Sequence, residues 1–527
     1  MTKRKNKGKK QEAVANKPKA PKPKPSRGKC RQAATGKLTA VSRINERLPN
    51  ELLAYIFATA ILSLLPKEHR SFLALVCGIC CRWRNVAIEA SELWTTIYIH
   101  HQNHIPAAEL FLKRSKMRLL DVDIKVIFGR EFVQFTSGRG GYYRSPPAAF
   151  SRQSGLRVAE LTSAHLGRTR MLSLSVSDAQ GAERFSALYR PVSTPHLASL
   201  SVYIQGWLQS ASPLLDSICS VSSNGSDGLP SNAASGFSLT RLELGAVQPE
   251  HEDMRKIFTY FPSLETLILP KFCQSWRGNQ EVNRPIIFAP NSLRSLAVHL
   301  NHAHVKSSHA GNSPDCSCVL GSLCFPNLEY LEVVGDNSSW NLNLRSHFNN
   351  LPELKTLRLQ RCSASPSDDT FFRSLKLLNR LELVDNLKDV KWCKNYRKRV
   401  PLPFPRLSSL LLSDNSRGGS PDMFQWARVA QLAIQNYGCT QFSIKVTAQH
   451  HSMMTRALTH QNERIQLETA DHPPGLLHPL PPLTGNSFDW PDDDDYDDYY
   501  SDSDFYIDPV YGFDSSDYDN QAEYYGL

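Results

Sequence analysis

The sequence predicts a mixed α/β protein, a small helical block followed by a long run of parallel strands, and three observations predict it. Between residues 48 and 92 apolar side chains recur at i, i+3, i+4 and i+7, the spacing of helices with one buried face. From Leu119 onward a short unit, apolar-x-x-apolar-x-apolar, returns ten times. Charge is segregated: residues 1–43 hold fifteen Lys/Arg and one acid, and residues 465–527 hold sixteen Asp/Glu and no Lys/Arg. Both ends are too charged and too poor in aliphatic side chains to offset the chain entropy of ordering. They are therefore read as a disordered basic tail, 1–43, and a disordered acidic tail, 465–527. The middle, 44–464, keeps forty-six bases against thirty-three acids and is the predicted folded part.

Within the helical block, Leu48-Pro49-Asn50-Glu51 opens the first helix, with proline where a first turn tolerates it. Apolar residues then recur at 52, 53, 56, 57, 60 and 61, giving one wide apolar face. Pro66 closes the segment. A second period follows at Phe72, Leu75, Val76, Ile79, Cys80 and Trp83, and a third short helix is expected over about Asn85 to Glu92. Some fifty residues are close to the smallest size that sustains its own core, so the block is expected to need a covering partner or the neighbouring domain.

The run Leu48-Pro49, Glu51-Leu52-Leu53, Ile56-Phe57, then Leu75-Val76-Cys77, Trp83-Arg84-Asn85-Val86-Ala87 and Leu93-Trp94-Thr95-Thr96-Ile97 resembles the F-box, in the form common in mushroom-forming fungi. The resemblance implies a three-helix module over residues 44–98 that docks on the Skp-type adaptor of a Skp-cullin-F-box ubiquitin ligase. The positions matching the family's adaptor-facing motif are Leu48, Pro49, Leu52, Ile56, Val76, Cys77 and Trp83. A polar insertion, Pro66-Lys67-Glu68-His69-Arg70, lengthens the link between the first two helices relative to that pattern.

The ten repeated units begin at Leu119, Met171, Leu197, Leu239, Leu264, Leu293, Leu328, Leu354, Leu378 and Leu407, and from the third onward they step by 42, 25, 29, 35, 26, 24 and 29 residues. Five consecutive units extend to a small polar ninth position, at Asn301, Asp336, Cys362, Asn386 and Asn415, where a side chain meets backbone groups that the turn leaves unpaired. Tags such as Phe261-Pro262, Phe325-Pro326, Leu351-Pro352 and Phe404-Pro405 precede the units, as connectors that end at proline before a strand. This resembles the leucine-rich repeat family over 99–464, most clearly 190–420, and implies a solenoid of parallel strands with the leucines in the core. The residues between the leucines then face the opposite, concave surface. Tyr330, Glu332, Thr356, Arg358, Arg380 and Glu382, on three adjacent strands, are the candidate target-binding residues, because interface energy concentrates in Arg and Tyr.

Several chemistries are looked for in vain. There is no Gly-rich phosphate loop, no G-x-S-x-G and no H-E-x-x-H, so no catalytic residue and no cofactor is expected. The C-x-x-C at Cys77 and Cys80 has no second pair at zinc-finger distance, and the His/Cys stretch from His299 to Cys324 matches no usual ligand spacing, so no metal site is assigned. The scattered cysteines fit reduced thiols. No uncharged apolar run approaches the roughly 18–20 residues that cross a bilayer. The chain is expected to be soluble, in the nucleus or cytoplasm. Two readings follow. One is a non-catalytic substrate receptor that binds the adaptor, through it a cullin, and an unknown protein target. The other is a nuclear scaffold making weak nucleic-acid contacts through residues 1–43.

Overall fold

A computed structural model of the chain describes residues 47–128, 150–177, 179–189, 194–204, 239–245, 249–272, 285–300, 319–335, 341–342, 348, 351–364, 369–385, 404–413, 423–458, 463–470 and 475–476. Both terminal tails lie outside these residues but for the stretches noted below, as do Asn301, Asp336, Asn386, Asn415 and the His/Cys stretch between His299 and Cys324.

Three helices open the described chain: α1 (Asn50–Leu62), α2 (His69–Ile79) and α3 (Cys81–Glu89). Pro49 caps α1 with an extended backbone and Glu51 lies in its first turn, where the helix dipole favours a carboxylate. The expected single helix through Trp83 is broken at Cys80, whose extended backbone (φ −159°) ends α2 and starts α3 four residues earlier than Asn85. The apolar spacing from Phe72 to Trp83 runs on through this break in the sequence, so periodicity alone did not reveal it. His69 and Arg70, read as part of the link, are the first residues of α2.

Seventeen strands follow among the described residues: β1 (Thr96–Ile99), β2 (Leu120–Val126), β3 (Thr169–Val176), β4 (Ser199–Ile204), β5 (Arg241–Gly245), β6 (Thr266–Phe272), β7 (Ile287–Phe288), β8 (Ser295–Leu300), β9 (Leu323–Cys324), β10 (Tyr330–Gly335), β11 (Asn341–Leu342), β12 (Thr356–Gln360), β13 (Ser363–Ala364), β14 (Arg380–Val384), β15 (Ser409–Ser413), β16 (Phe442–Val446) and β17 (Ile465–Thr469). Thirteen of them form one sheet in the order β1-β2-β3-β4-β5-β6-β8-β10-β12-β14-β15-β16-β17, every pair parallel and each neighbour the next of these thirteen along the chain. β7 with β9 and β11 with β13 make two small parallel pairs beside it.

The repeated unit sets this register. Leu242, Leu267, Leu296, Leu331, Leu357, Leu381 and Leu410 pair in one row, and all are fully buried. The turn before each strand also repeats: the N–H of Leu264, Leu354, Leu378 and Leu407 donates to the carbonyl three residues back, at Phe261, Leu351, Leu375 and Phe404. After the strand, Arg361 and Asp385 occupy equivalent places with φ +52°, a left-handed residue that stops the pairing. Cys362, at a ninth position, is buried and directs its thiol to the carbonyls of Gln360 (3.1 Å) and of Val333 on the adjacent strand (3.5 Å).

Ten helices accompany the sheet among the described residues. After α1 to α3 come α4 (Ile105–Arg114), α5 (Arg152–Ser163), α6 (Ala179–Tyr189), α7 (His251–Tyr260), α8 (Asp369–Ser374), α9 (Met423–Tyr437) and α10 (Ala448–Leu458). Their buried sides and the leucine face form one continuous core from Leu53 to Ala457. The boundary expected at residue 98 therefore does not separate two cores. Thr96–Ile99, read as the end of the helical module, is the first strand of the sheet, and buried Trp94 ties the two parts together. Its Nε1–H donates to the Ala87 carbonyl (2.7 Å) and its ring meets Phe111 edge-on at 4.9 Å. In the first two repeats the inward residues are Leu120 and Leu172, while Leu119 and Met171 are exposed. Ile465–Thr469, assigned by its charge to the acidic tail, is β17 and pairs along its whole length with β16. A two-residue alternation carries no leucine repeat, so the charge run masked it. No helix among the described residues is long and apolar enough to cross a membrane.

At the junction of the helical block and the sheet, burial first, and then repulsion from Arg70, His101 and His100, holds the His104 pKa down at about 4. A base whose folded pKa lies below its free value near 6.5 resists protonation only in the folded state. Stability conferred by neutral His104 is complete above pH 6.5 and is lost as pH falls toward 4. Melting temperature measured from pH 7 to pH 4 is expected to fall less steeply in His104→Gln than in the wild type. Identical slopes would remove this assignment.

Candidate functional site

Two surfaces gather the residues singled out by the sequence. The first is the outer side of the helical block. α1 spends only half of its apolar residues on the core: Leu53, Phe57 and Ile61 point inward, while Leu52 (49 % exposed), Tyr55 (70 %), Ile56 (48 %) and Leu62 (86 %) remain uncovered. α2 repeats this division, with His69, Leu73 and Val76 inward and Leu75 and Ile79 outward. With Leu65 in the link, seven of the fourteen large exposed hydrophobics among the described residues fall between positions 52 and 79. Scattered exposed leucines are ordinary, but this concentration makes one apolar patch on the outer side of the block.

The seven adaptor-motif residues divide across that block. Pro49, Leu52 and Ile56 are exposed, and Leu48, Cys77 and Trp83 are half-buried. Val76 is corrected: it is 2 % exposed and belongs with His69 and Leu73 to the inward stripe of α2. Trp83 packs on Phe57 with ring centroids 5.0 Å apart. Burial pushes the Cys77 thiol pKa up, with Arg114 and Arg84 opposing it. Arg82 fastens the start of α1, donating from Nε and Nη2 to Asn50 Oδ1 (3.1 and 3.0 Å) and from Nη2 to the Leu48 carbonyl. Tyr55, Leu62, Leu65, Leu75 and Ile79 were missed as candidates. The signal available for them was an apolar face wider than one core contact requires.

The second surface is the sheet face opposite the leucines. The ladder aligns Tyr330, Thr356 and Arg380 in one row and Glu332, Arg358 and Glu382 in the next. The first row is half-buried. The second is not the open row expected of a recognition face: Glu332 is 0 %, Arg358 2 % and Glu382 5 % exposed. The six residues nonetheless come together, five of them in one polar chain. The Tyr330 hydroxyl donates to Glu332 Oε2 (2.9 Å), Arg358 Nε lies 3.5 Å from Glu332 Oε1, Arg358 Nη1 donates to Glu382 Oε2 (2.9 Å), and Arg380 Nε lies 2.7 Å from Glu382 Oε1. Two guanidiniums thus balance two carboxylates. Burial, and then the neighbouring Glu332 charge, drives the Tyr330 pKa far above its ordinary value, so its proton stays on the hydroxyl. Thr356 is in register with Tyr330 and Arg380 and stands beside this polar chain.

What lies against Glu332 was not foreseen. Gly475 and Leu476, beyond β17 in the sequence, lie against Glu332 of β10, five strands back in the sheet. The Leu476 N–H donates to Glu332 Oε2 at 2.6 Å, and the Leu476 side chain packs with Ile268, Ala297 and Val334 in a small apolar cluster separate from the main core. The uncharged run around Gly475 within an otherwise acidic stretch was the sequence signal for it. Among the described residues no group of three or more His, Cys, Asp or Glu is disposed to hold a metal ion. No protein-family model matches this chain, and no curated protein is similar to it.

Proposed function

We propose that the chain is a non-catalytic substrate receptor of a Skp-cullin-F-box ubiquitin ligase, with an F-box as its helical block and a leucine-rich repeat solenoid as its sheet. One observation carries the reading: the helices that match the motif by sequence leave Leu52, Tyr55, Ile56, Leu75 and Ile79 uncovered, although a core for half of each helix is already built. The strands support the second half. All thirteen are parallel and sequential, with the same turn and the same buried leucine repeated, as stacked units would be.

The mechanism is proximity. The adaptor covers the apolar face of α1 and α2 and joins the chain to a cullin, and the sheet face opposite the leucines holds the target. A tethered target then meets the conjugating enzyme at a high effective concentration, and this chain supplies no reacting group. Because one core runs through both parts, the distance between adaptor and target is fixed by packing rather than by a flexible linker.

The test is co-expression of the full chain with a Skp-type adaptor, followed by size-exclusion chromatography. A 1:1 complex is expected, stable to moderate salt because the contact is apolar. Separate elution at micromolar concentration would overturn the reading. Salt-sensitive retention on nucleic acid, lost when residues 1–43 are removed, would favour the nuclear scaffold instead.

A further inference from the structure

We infer that the sheet face over β6, β8 and β10 is a seat for a protein segment carrying glycine followed by leucine, and that Gly475–Leu476 is the chain's own copy, which a target must displace. The inference rests on the receptor reading for the identity of the competitor, but the seat is built from this structure alone.

Three features make it a seat rather than a patch of sheet. Ile268, Ala297 and Glu332 are neighbours in one register row, each 0 % exposed, on the face that does not hold the main core. The apolar end of the row takes a leucine side chain, with Val334 beside it. The polar end offers a carboxylate already oriented, by the Tyr330 hydroxyl at 2.9 Å and by Arg358 at 3.5 Å, that accepts a backbone N–H at 2.6 Å. A charge-assisted bond to a main-chain donor recognises backbone whatever its side chains, and the neighbouring pocket selects the side chain.

Glycine is demanded by contact. A Cβ at position 475 would come within 2.1 Å of Glu332 Oε1 and 2.7 Å of its Cδ. Glu332 has no room to retreat, since it is itself buried and held from two sides. The carboxylate therefore reads the backbone at close approach, and a side chain at that position excludes the ligand. The row is specific to these strands, because one strand earlier the same register holds half-exposed Glu243 in place of an apolar residue.

A segment tethered on the same chain competes at an effective concentration in the millimolar range, so an outside segment of micromolar affinity is suppressed by roughly 100-fold or more. Partner capture is then gated by release of residues 475–476.

The experiment uses the full chain and a fluorescent peptide of residues 470–480. Gly475→Trp unseats the internal copy, and this variant is expected to bind the peptide in the micromolar range, while the wild type binds it at least tenfold more weakly. Peptides carrying Gly475→Trp or Leu476→Asp are expected to bind neither protein. Should the folded variant fail to bind the wild-type peptide, or should the wild type bind it equally well, the inference is overturned. A measurement that needs no variant is hydrogen exchange of the wild type, where the Leu476 amide is expected to be slowed at least tenfold. Exchange at the free-chain rate also overturns it. Peptide binding without adaptor binding defeats the receptor reading and leaves the seat. Adaptor-dependent target capture that the peptide does not inhibit defeats the seat and leaves the receptor.

Discussion

Leu52→Asp with Ile56→Asp is expected to abolish adaptor binding while the protein keeps its melting temperature within about 2 °C. Both side chains lie outside the core and are half exposed, so their loss removes little folding free energy. In the complex each would be covered, and full burial of a Leu or Ile side chain contributes about 1.5–3 kcal/mol. Two such losses, with two carboxylates placed against an apolar partner, exceed the roughly 4 kcal/mol that separates micromolar from millimolar affinity. Co-elution with the adaptor at wild-type yield, by a variant with an unchanged circular dichroism spectrum and melting temperature, would refute the assignment of this face. Substitution of Val76 does not offer the same test. That side chain is in the core, and its loss would reduce binding by unfolding α2. Trp83→Ala is intermediate, because the ring both packs on Phe57 and lies partly at the surface.

Arg358→Met is expected to destabilise the fold by about 3–5 kcal/mol, since it leaves Glu332 and Glu382 buried without their shared cation. In a chain of this size the melting temperature should fall by roughly 5–10 °C. The cost is that of stranding charge, and adding Glu332→Gln and Glu382→Gln to Arg358→Met should therefore recover more than half of it. Chemical denaturation of the single and triple variants distinguishes this from a packing effect, which the triple variant would not repair. A single variant as stable as the wild type would mean that the row is open to water. The surface pair of Lys355 with Glu329 at 2.8 Å makes a useful control. It is exposed on both sides, and Lys355→Ala should change stability by less than about 1 kcal/mol.

Much of the sheet was legible from one sequence because its signal is redundant. A leucine recurring at fixed offsets sets strand position, strand direction and register together, and a slip of one residue would turn a whole row of leucines outward. Hence the pairing of Tyr330 with Thr356 and Arg380, three positions separated by 26 and 24 residues, followed from spacing. Where the redundancy failed, so did the reading. β1 and β17 are short alternating strands without the repeat, and Leu119 and Met171 were drawn into units whose inward residue is the next one. The break at Cys80 was invisible because the apolar spacing runs on through it, from Val76 and Ile79 to Cys80 and Trp83.

The sequence by itself determined the α/β class, the helical block with an apolar face wider than its core needs, and the order and register of the repeated strands. These depend on local spacing, which backbone geometry converts directly into faces and rows. Only the tertiary structure decided that the helical block and the sheet share one core, that Val76 is inside, and that Glu332, Arg358 and Glu382 are buried. The burial of Glu332 depends on what comes to lie against the sheet face from far along the chain. Leu476 meets Glu332 across a separation of 144 residues. No spacing rule spans such a distance, because the contact is fixed by where the sheet's last strand ends and by whether a residue without a side chain is there to pass over a buried carboxylate.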